Sequence, residues 1–270
     1  MDNILDKIIA AKSNRLEERK KMFSAQALEA KSRALPAPRL DFRAALERPP
    51  GPGDGPGPVL PRIIAEVKKA SPSRGVLRAD FRPLDIARAY ARGGAAALSV
   101  LTEEDHFLGS DGYLQEISRE VALPTLRKDF IIDAYQVHEA KCLGASAYLL
   151  IVACLQQPEL AALVALGAEL GLTPLVEAHT GDEARRALDA GATLIGINNR
   201  DLKTFHTSLE TTYQIRPLIP PGITVVSESG IFTRADLEKL ADADVQAALI
   251  GESLIREDDI EGKLRELLAA

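Results

Sequence analysis

Eight short apolar runs, each ending in polar residues and most of them followed by a segment of helical spacing, restrict this chain to very few architectures. The runs cover residues 62–67, 96–101, 124–126, 147–152, 174–176, 194–197, 223–226 and 247–250, and their β-branched and aliphatic content reads as strand. Helical spacing fills 83–92, 136–143, 157–170, 182–190 and 234–240, with Gly93, Gly144, Gly171 and Gly191 standing where a left-handed C-cap closes a helix. Strand then helix, eight times over and without a long antiparallel stretch, predicts an α/β protein whose parallel sheet closes into a (β/α)8 TIM barrel. An open doubly wound sheet is the rival. Polar residues at every strand's C-terminal end fit the closed form better, because active sites of such barrels lie at that end.

Glu66 and Lys68 end the first run two residues apart. Residues two apart in a strand share a face, so a carboxylate and an ammonium are presented together where the chain turns away. Burying either charge alone would cost several kcal/mol, the scale of a domain's net stability, so the pair is expected to face a polar cavity. From spacing alone a structural ion pair at the barrel rim reads equally well. Lys128 beside Asp129 admits the same two readings, with its strand-end position and the neighbouring Phe130 favouring chemistry. Asn198-Asn199 reads as a turn, and Ser227-Glu228-Ser229-Gly230 as a helix N-cap with a turn, unless other motifs accompany them.

At 270 residues the chain accommodates one barrel, expected over 61–270, and an N-terminal helical extension with a Pro/Gly-rich loop, expected over 1–60. Residues 3–33 read as one or two amphipathic helices, with Ile4, Leu5, Ile8 and Ile9 near the start; they could cover the barrel's bottom, form a solvated tail, or lie near its mouth. The stretch 49–58, built only of Pro, Gly and Asp, is expected to be a mobile loop. Hydrophobic content of 46% with 27% charged residues is that of an ordinary globular protein. No membrane span and no signal peptide are read, so the expected location is cytoplasmic. A net charge of −6 argues against a nucleic-acid surface. Cys142 and Cys154 are expected to be reduced packing residues, and His106, His138, His179 and His206 solvated or capping side chains without metal-ligand spacing. Glu103, Glu104 and Asp105 read as a solvated loop, with Glu103 near enough to strand two to face the cavity.

Taken together, the strand-end motifs resemble those of the indole-3-glycerol-phosphate synthase family of tryptophan biosynthesis. The matching pieces are Ile64-Ala65-Glu66-Val67-Lys68-Lys69-Ala70-Ser71-Pro72-Ser73, Leu98-Ser99-Val100-Leu101-Thr102-Glu103 and Arg127-Lys128-Asp129-Phe130-Ile131. They continue with Leu175-Val176-Glu177, Gly196-Ile197-Asn198-Asn199-Arg200-Asp201-Leu202, Ser227-Glu228-Ser229-Gly230-Ile231 and Leu249-Ile250-Gly251-Glu252-Ser253-Leu254. Each piece alone is weak; seven in family order are specific.

The resemblance implies a carboxy-lyase that takes 1-(2-carboxyphenylamino)-1-deoxyribulose 5-phosphate to indole-3-glycerol phosphate, carbon dioxide and water, with no metal and no cofactor. An aromatic carbon attacks a ketone, carbon dioxide leaves, and a hydroxyl departs as water. Lys128 would donate to the carbonyl oxygen as it gains charge, and Lys68 would meet the substrate's carboxylate or phosphate and protonate the departing hydroxyl. Glu177 would take up a proton from the ring or pass one during dehydration, while Glu66, Asn198, Glu228 and Ser229 resemble the family's polar set that holds the ribulose hydroxyls and tunes the lysines. Implied partners are the phosphorylated small molecule and, more loosely, other enzymes of the pathway.

Phosphate recognition in barrels of this type uses loops after strands seven and eight. Ser229-Gly230 and Gly251-Glu252 occupy those places, with Ser71 and Lys68 reaching from strand one and Arg200 joining the substrate-binding set. Many family members carry Ser where Glu252 stands, and a carboxylate beside a phosphate is repulsive, so its side chain is expected to turn toward solvent. Phe107, Phe130, Leu149, Leu202 and Ile250 are the candidates for a pocket around the carboxyphenyl ring. Two alternatives stay open: a phosphoribosylanthranilate-type isomerase, against which Lys68 stands where a nucleophilic Cys would be expected, and a non-catalytic barrel subunit.

Overall fold

Alternation of side chains along eight parallel strands builds the barrel. In the computed structural model, which describes residues 4–47, 59–201 and 204–269, the strands are β1 (Arg62–Val67), β2 (Ala97–Leu101), β3 (Thr125–Lys128), β4 (Ala147–Ile151), β5 (Thr173–Ala178), β6 (Leu194–Asn198), β7 (Thr224–Glu228) and β8 (Ala247–Ile250). Each pairs in parallel with its neighbours in sequence, and β8 closes onto β1, so every strand is bonded along both edges. Ile63, Ala65 and Val67 point out into the layer of helices, while Ile64 points in and joins Ala97, Leu126, Leu149, Leu175, Leu194, Val226 and Leu249 in an inner apolar cluster. The same inward parity, carried further along each strand, reaches Glu66, Ser99, Lys128, Glu177, Asn198 and Glu228. An apolar floor therefore underlies a polar ring.

Four strands run past their apolar residues into this ring, ending at Lys128, Ala178, Asn198 and Glu228 instead of at 126, 176, 197 and 226. Adjacent strands extend that far, as the pairs Leu101 with Lys128, Ile151 with Glu177 and Asn198 with Glu228 record, and a backbone ladder bonds whatever the side chains carry.

The N-terminal segment forms three helices, α1 (Ile4–Met22), α2 (Ala25–Ala34) and α3 (Phe42–Glu47). α1 lies at the mouth. Its Lys12 is buried 2.8 Å from Asp129, and Arg15, Arg19 and Lys20 pair with Glu104, Asp105, Asp111, Asp133 and Glu139 on the segments that follow β2 and β3. α3, in a stretch to which the sequence assigns no element, closes the opposite end: Phe42 and Leu46 join the inner cluster, and Arg43 donates to the Gly222 carbonyl and the Thr224 hydroxyl at the start of β7. The Pro/Gly-rich stretch 49–58, expected to be a mobile loop, and Leu202 lie outside the described residues.

The outer layer comprises α4 (Pro83–Gly93), α5 (Asp111–Glu120), α6 (Ala134–Cys142), α7 (Gln157–Leu170), α8 (Gly181–Asp189), α9 (Glu210–Ile215), α10 (Arg234–Asp242), α11 (Glu252–Ile255) and α12 (Ile260–Leu268). The glycine expected to cap α4 is shifted by one: Gly94, at φ 100°, takes the left-handed turn and Gly93 stays helical. Gly93 is small for packing, since a Cβ there would stand 3.1 Å from the Leu264 Cβ and 3.2 Å from the Glu261 carbonyl oxygen of α12. Among the described residues no helix is long and apolar enough to cross a membrane.

Candidate active site

A cavity opens at the C-terminal end of the barrel and draws residues from most of its strands. Of the candidate residues, Glu66, Lys68, Ser71, Phe107, Lys128, Phe130, Leu149, Glu177, Asn198, Arg200, Glu228, Ser229, Gly230, Ile250, Gly251 and Glu252 all line it; Leu202 lies outside the described residues. Ile4, Leu5 and Ile8 of α1 complete the wall, which answers where the extension sits.

Lys128 is the hub of the polar ring. Its ammonium donates to Glu177 Oε2 at 2.9 Å and to Glu228 Oε2 at 2.6 Å, linking β3 to β5 and β7 across the barrel. Burial alone would lower the Lys128 ammonium, but Glu177, Glu228 and Glu66 outweigh it and raise it. The two carboxylates differ. Burial works to raise Glu177, yet Lys128, His179 and a bond from Asn198 bring it down to about 2. Glu228 is pushed up, first by burial and further by Glu177, against the pull of Lys128. Its Oε1 is buried without a hydrogen-bond partner among the described residues and lies against Gly196. Two carboxyl groups on one ammonium thus favour opposite protonation states.

Glu66 and Lys68 form a close ion pair on β1 and just beyond it. Gly251 passes directly over them: a Cβ there would overlap Glu66 Oε2 and stand 3.1 Å from Lys68 Nζ. After β7, Ser229 and Gly230 adopt left-handed φ values of 67° and 80°, which turn the chain sharply back from the mouth. The buried Asn199 amide holds that turn by donating to Ser227 Oγ at 2.9 Å and to the Glu228 and Ser229 carbonyls at 3.0 Å. Of the two asparagines, Asn198 faces the cavity and Asn199 does the structural work.

Glu252 departs from expectation. Its side chain does not turn to solvent but lies among Arg74, Arg200 and Arg256, at 3.3, 3.3 and 3.4 Å, because three guanidinium groups within reach hold a carboxylate better than water does. Arg200 also donates to Ser73 Oγ at 3.0 Å. On the opposite wall, Phe107 and Phe130 pack with ring centroids 6.2 Å apart, and Leu149 and Ile250 continue the apolar surface.

Other expectations need correction. Glu103 is 1% exposed and neither solvated nor at the cavity wall; it accepts the backbone N–H groups of Asp105, His106 and Phe107 and so folds the loop after β2. His138 is buried, with Nδ1 2.7 Å from Ser32 Oγ of α2. His179 stands between Glu177 and Glu183. The clue to it was the capping pattern Thr180-Gly181-Asp182-Glu183, and the clue to Gly196 was a glycine inside a strand, which marks close approach. Cys142 and Cys154 are free thiols and neither lines the cavity, so the isomerase alternative lacks its nucleophile.

Comparisons with known proteins give the family and the fold. The family model for indole-3-glycerol phosphate synthase matches residues 5–267. Proteins named indole-3-glycerol phosphate synthase from Dehalococcoides mccartyi strains CBDB1 and BAV1 are each 48% identical over 268 residues, covering 98% of this chain and 100% of theirs. Among solved structures, 3-hexulose-6-phosphate synthase from Salmonella typhimurium aligns with a TM-score of 0.64 at 10% identity, covering 77% of this chain and 96% of that one. At that identity the likeness speaks for the barrel alone. Fold, family match and full-length relatives lead to one conclusion: the chain belongs to the indole-3-glycerol phosphate synthase family, whose members act in tryptophan biosynthesis.

Proposed function

We propose that this chain is a carboxy-lyase that converts 1-(2-carboxyphenylamino)-1-deoxyribulose 5-phosphate into indole-3-glycerol phosphate, carbon dioxide and water. The observation that carries the reading is the junction of Lys128 with Glu177 and Glu228, which brings an ammonium and two carboxyl groups of opposite protonation preference to one point of the cavity. As the aromatic carbon attacks the ketone, the carbonyl oxygen becomes an alkoxide, a base strong enough to take a proton even from an ammonium held above its ordinary range. Lys128 gives that proton. Glu228, which can hold a proton near neutrality, replaces it; loss of carbon dioxide then restores the ring's aromaticity, and the ionised Glu177 keeps the ammonium oriented and accepts the proton that the carbon beside the nitrogen gives up as the hydroxyl departs.

Lys68, with Glu66 beside it, protonates the departing hydroxyl or meets the phosphate. Phosphate binding draws on Lys68, Ser71, Arg200 and the backbone N–H groups of the turns at Ser229-Gly230 and Gly251-Glu252. On phosphate arrival, Arg200 exchanges one Glu252 oxygen for a phosphate oxygen, and Arg74 and Arg256 keep the carboxylate compensated. The carboxyphenyl ring rests on Phe107, Phe130, Leu149 and Ile250. Its exclusion of water strengthens each of these charge interactions.

The test is direct. Purified protein mixed with the carboxyphenylamino deoxyribulose phosphate, without added metal, should develop indole fluorescence. Folded protein that yields no indole signal would refute the proposal.

A further inference from the structure

Glu177 is flanked on two sides. Lys128 donates to its Oε2, and behind it the His179 ring sets Nε2 3.4 Å from Oε1, within ion-pair distance though not in hydrogen-bond geometry. The other ring nitrogen, Nδ1, lies 3.3 Å from Glu183 Oε2, and that same oxygen accepts the His179 backbone N–H at 2.7 Å. Glu183 is the third residue of α8, and its own N–H donates to the N-cap Thr180 at 3.2 Å. In a capping box the third residue's carboxylate returns to the N-cap N–H. Here it reaches one residue further back and so secures the ring as well. Only His179 and Thr180 separate β5 from α8, which leaves the imidazole fixed between two rigid elements.

The ring does not line the cavity. It separates two carboxylates that would otherwise repel each other, and with one facing each nitrogen both positions favour a proton. Burial would lower the imidazole, but Glu183 and Glu177, with Glu228 behind them, raise it. Cys154 is a further titratable neighbour of this pair; burial first, then Glu177, Glu183 and Asp6, pushes its thiol up to about 12, so it stays neutral.

We infer that His179, gripped by Glu183, is a positioning residue that keeps the Glu177 carboxylate turned onto Lys128. The inference rests on the proposed reaction, in which Glu177 is the base. Without the ring, Glu177 Oε1 would face Glu183 unshielded, and the carboxyl would either take a proton or rotate away from Lys128. Both outcomes impair proton transfer while the groups that bind phosphate stay in place.

The test compares His179→Gln, Glu183→Gln and Thr180→Ala. Turnover is measured with the carboxyphenylamino deoxyribulose phosphate, and the Glu177 carboxyl is titrated by carbon-13 resonance in glutamate-labelled protein, its signal identified by its loss in Glu177→Gln. His179→Gln should lower kcat about tenfold or more, leave KM within about twofold, and move the Glu177 titration to higher pH. Glu183→Gln should move both in the same direction. Thr180→Ala, which loses the cap bond but keeps the ring, should leave the titration where it was. A Glu177 titration unmoved in His179→Gln, or moved as far by Thr180→Ala, would overturn the inference, and Glu183→Gln decides the matter if His179→Gln fails to fold. The titration needs no turnover, so a failure of the proposed reaction and a failure of the positioning role give different results.

Discussion

Replacing Gly196 with Ala should stop the chemistry without unfolding the protein. Gly196 lies in β6, faces inward, and has a backbone that any residue can adopt, so the substitution carries no conformational cost and restricts the unfolded chain by about 0.4–1 kcal/mol in favour of the native state. The added methyl, however, would overlap Glu228 Oε1 and stand 3.3 Å from both Glu228 Cδ and Leu175 Cδ1. Gly196 is bonded into the ladder with β5 on one side and β7 on the other, so the backbone cannot yield and the carboxylate must. A retreat on the order of 1 Å draws Glu228 Oε2 away from Lys128, to which it is bound at 2.6 Å, and a displacement of that size costs about 10²-fold in rate. Overpacking of about 1–3 kcal/mol, partly offset by the unfolded-state gain, lowers the melting midpoint by only a few degrees in a chain of this length. Expected are a kcat lower by about 10²-fold, a KM close to that of the parent because the phosphate groups are untouched, and a cooperative thermal transition. A kcat within about threefold of the parent, in folded protein, would show that the position of Glu228 over Lys128 is not needed.

Lys128→Ala should reduce turnover by at least ~10²-fold and also destabilise the protein. A strand-end charge facing water would add little to stability, but this ammonium lies between two buried carboxylates, and removing one partner of such a set costs about 3–5 kcal/mol. The loss should shrink at lower pH, where one carboxyl takes a proton; equal denaturant midpoints for variant and parent at neutral pH would contradict the bridge. Glu228→Gln tests the raised carboxyl. Between the ordinary 4.5 and its folded value of about 7, the native carboxyl keeps a proton that the unfolded chain has released. The native state then binds more protons, so the stability contributed by this group falls as pH rises through that window. The Gln variant lacks that slope, and urea midpoints that run parallel for the two proteins from pH 4.5 to 7 would refute the assignment. Glu177, held down to about 2, contributes the opposite slope below 4.5 and does not obscure the comparison.

Much of this molecule is written locally. Runs of aliphatic residues, their polar ends, and glycines at 144, 171 and 191 in left-handed caps were readable because strand pairing parity and helix capping depend on residues only a few positions apart. The strand-end motifs identify the residues that line the cavity for the same reason: each is a short segment whose side chains leave one face together. Less legible were features that depend on what stands opposite. Nothing near Phe42 announces that it seals the barrel floor, and Glu103 looks solvated until the loop folds around it. His179 resembles any exposed histidine until Glu183 reaches past its own N-cap to secure it.

Sequence by itself determined the alternation of strand and helix, the side from which each polar side chain emerges, and the chemical groups on offer. Only tertiary structure decided which of those groups meet. Lys128, Glu177 and Glu228 belong to separate strands, and the register of a closed parallel sheet sets their heights along the barrel axis. Closure brings those strands around until one ammonium lies within hydrogen-bond reach of both acids, and with it come the opposed protonation preferences of two chemically identical side chains. Local bonding patterns depend on near neighbours along the chain, whereas the field at a buried charge depends on neighbours in space.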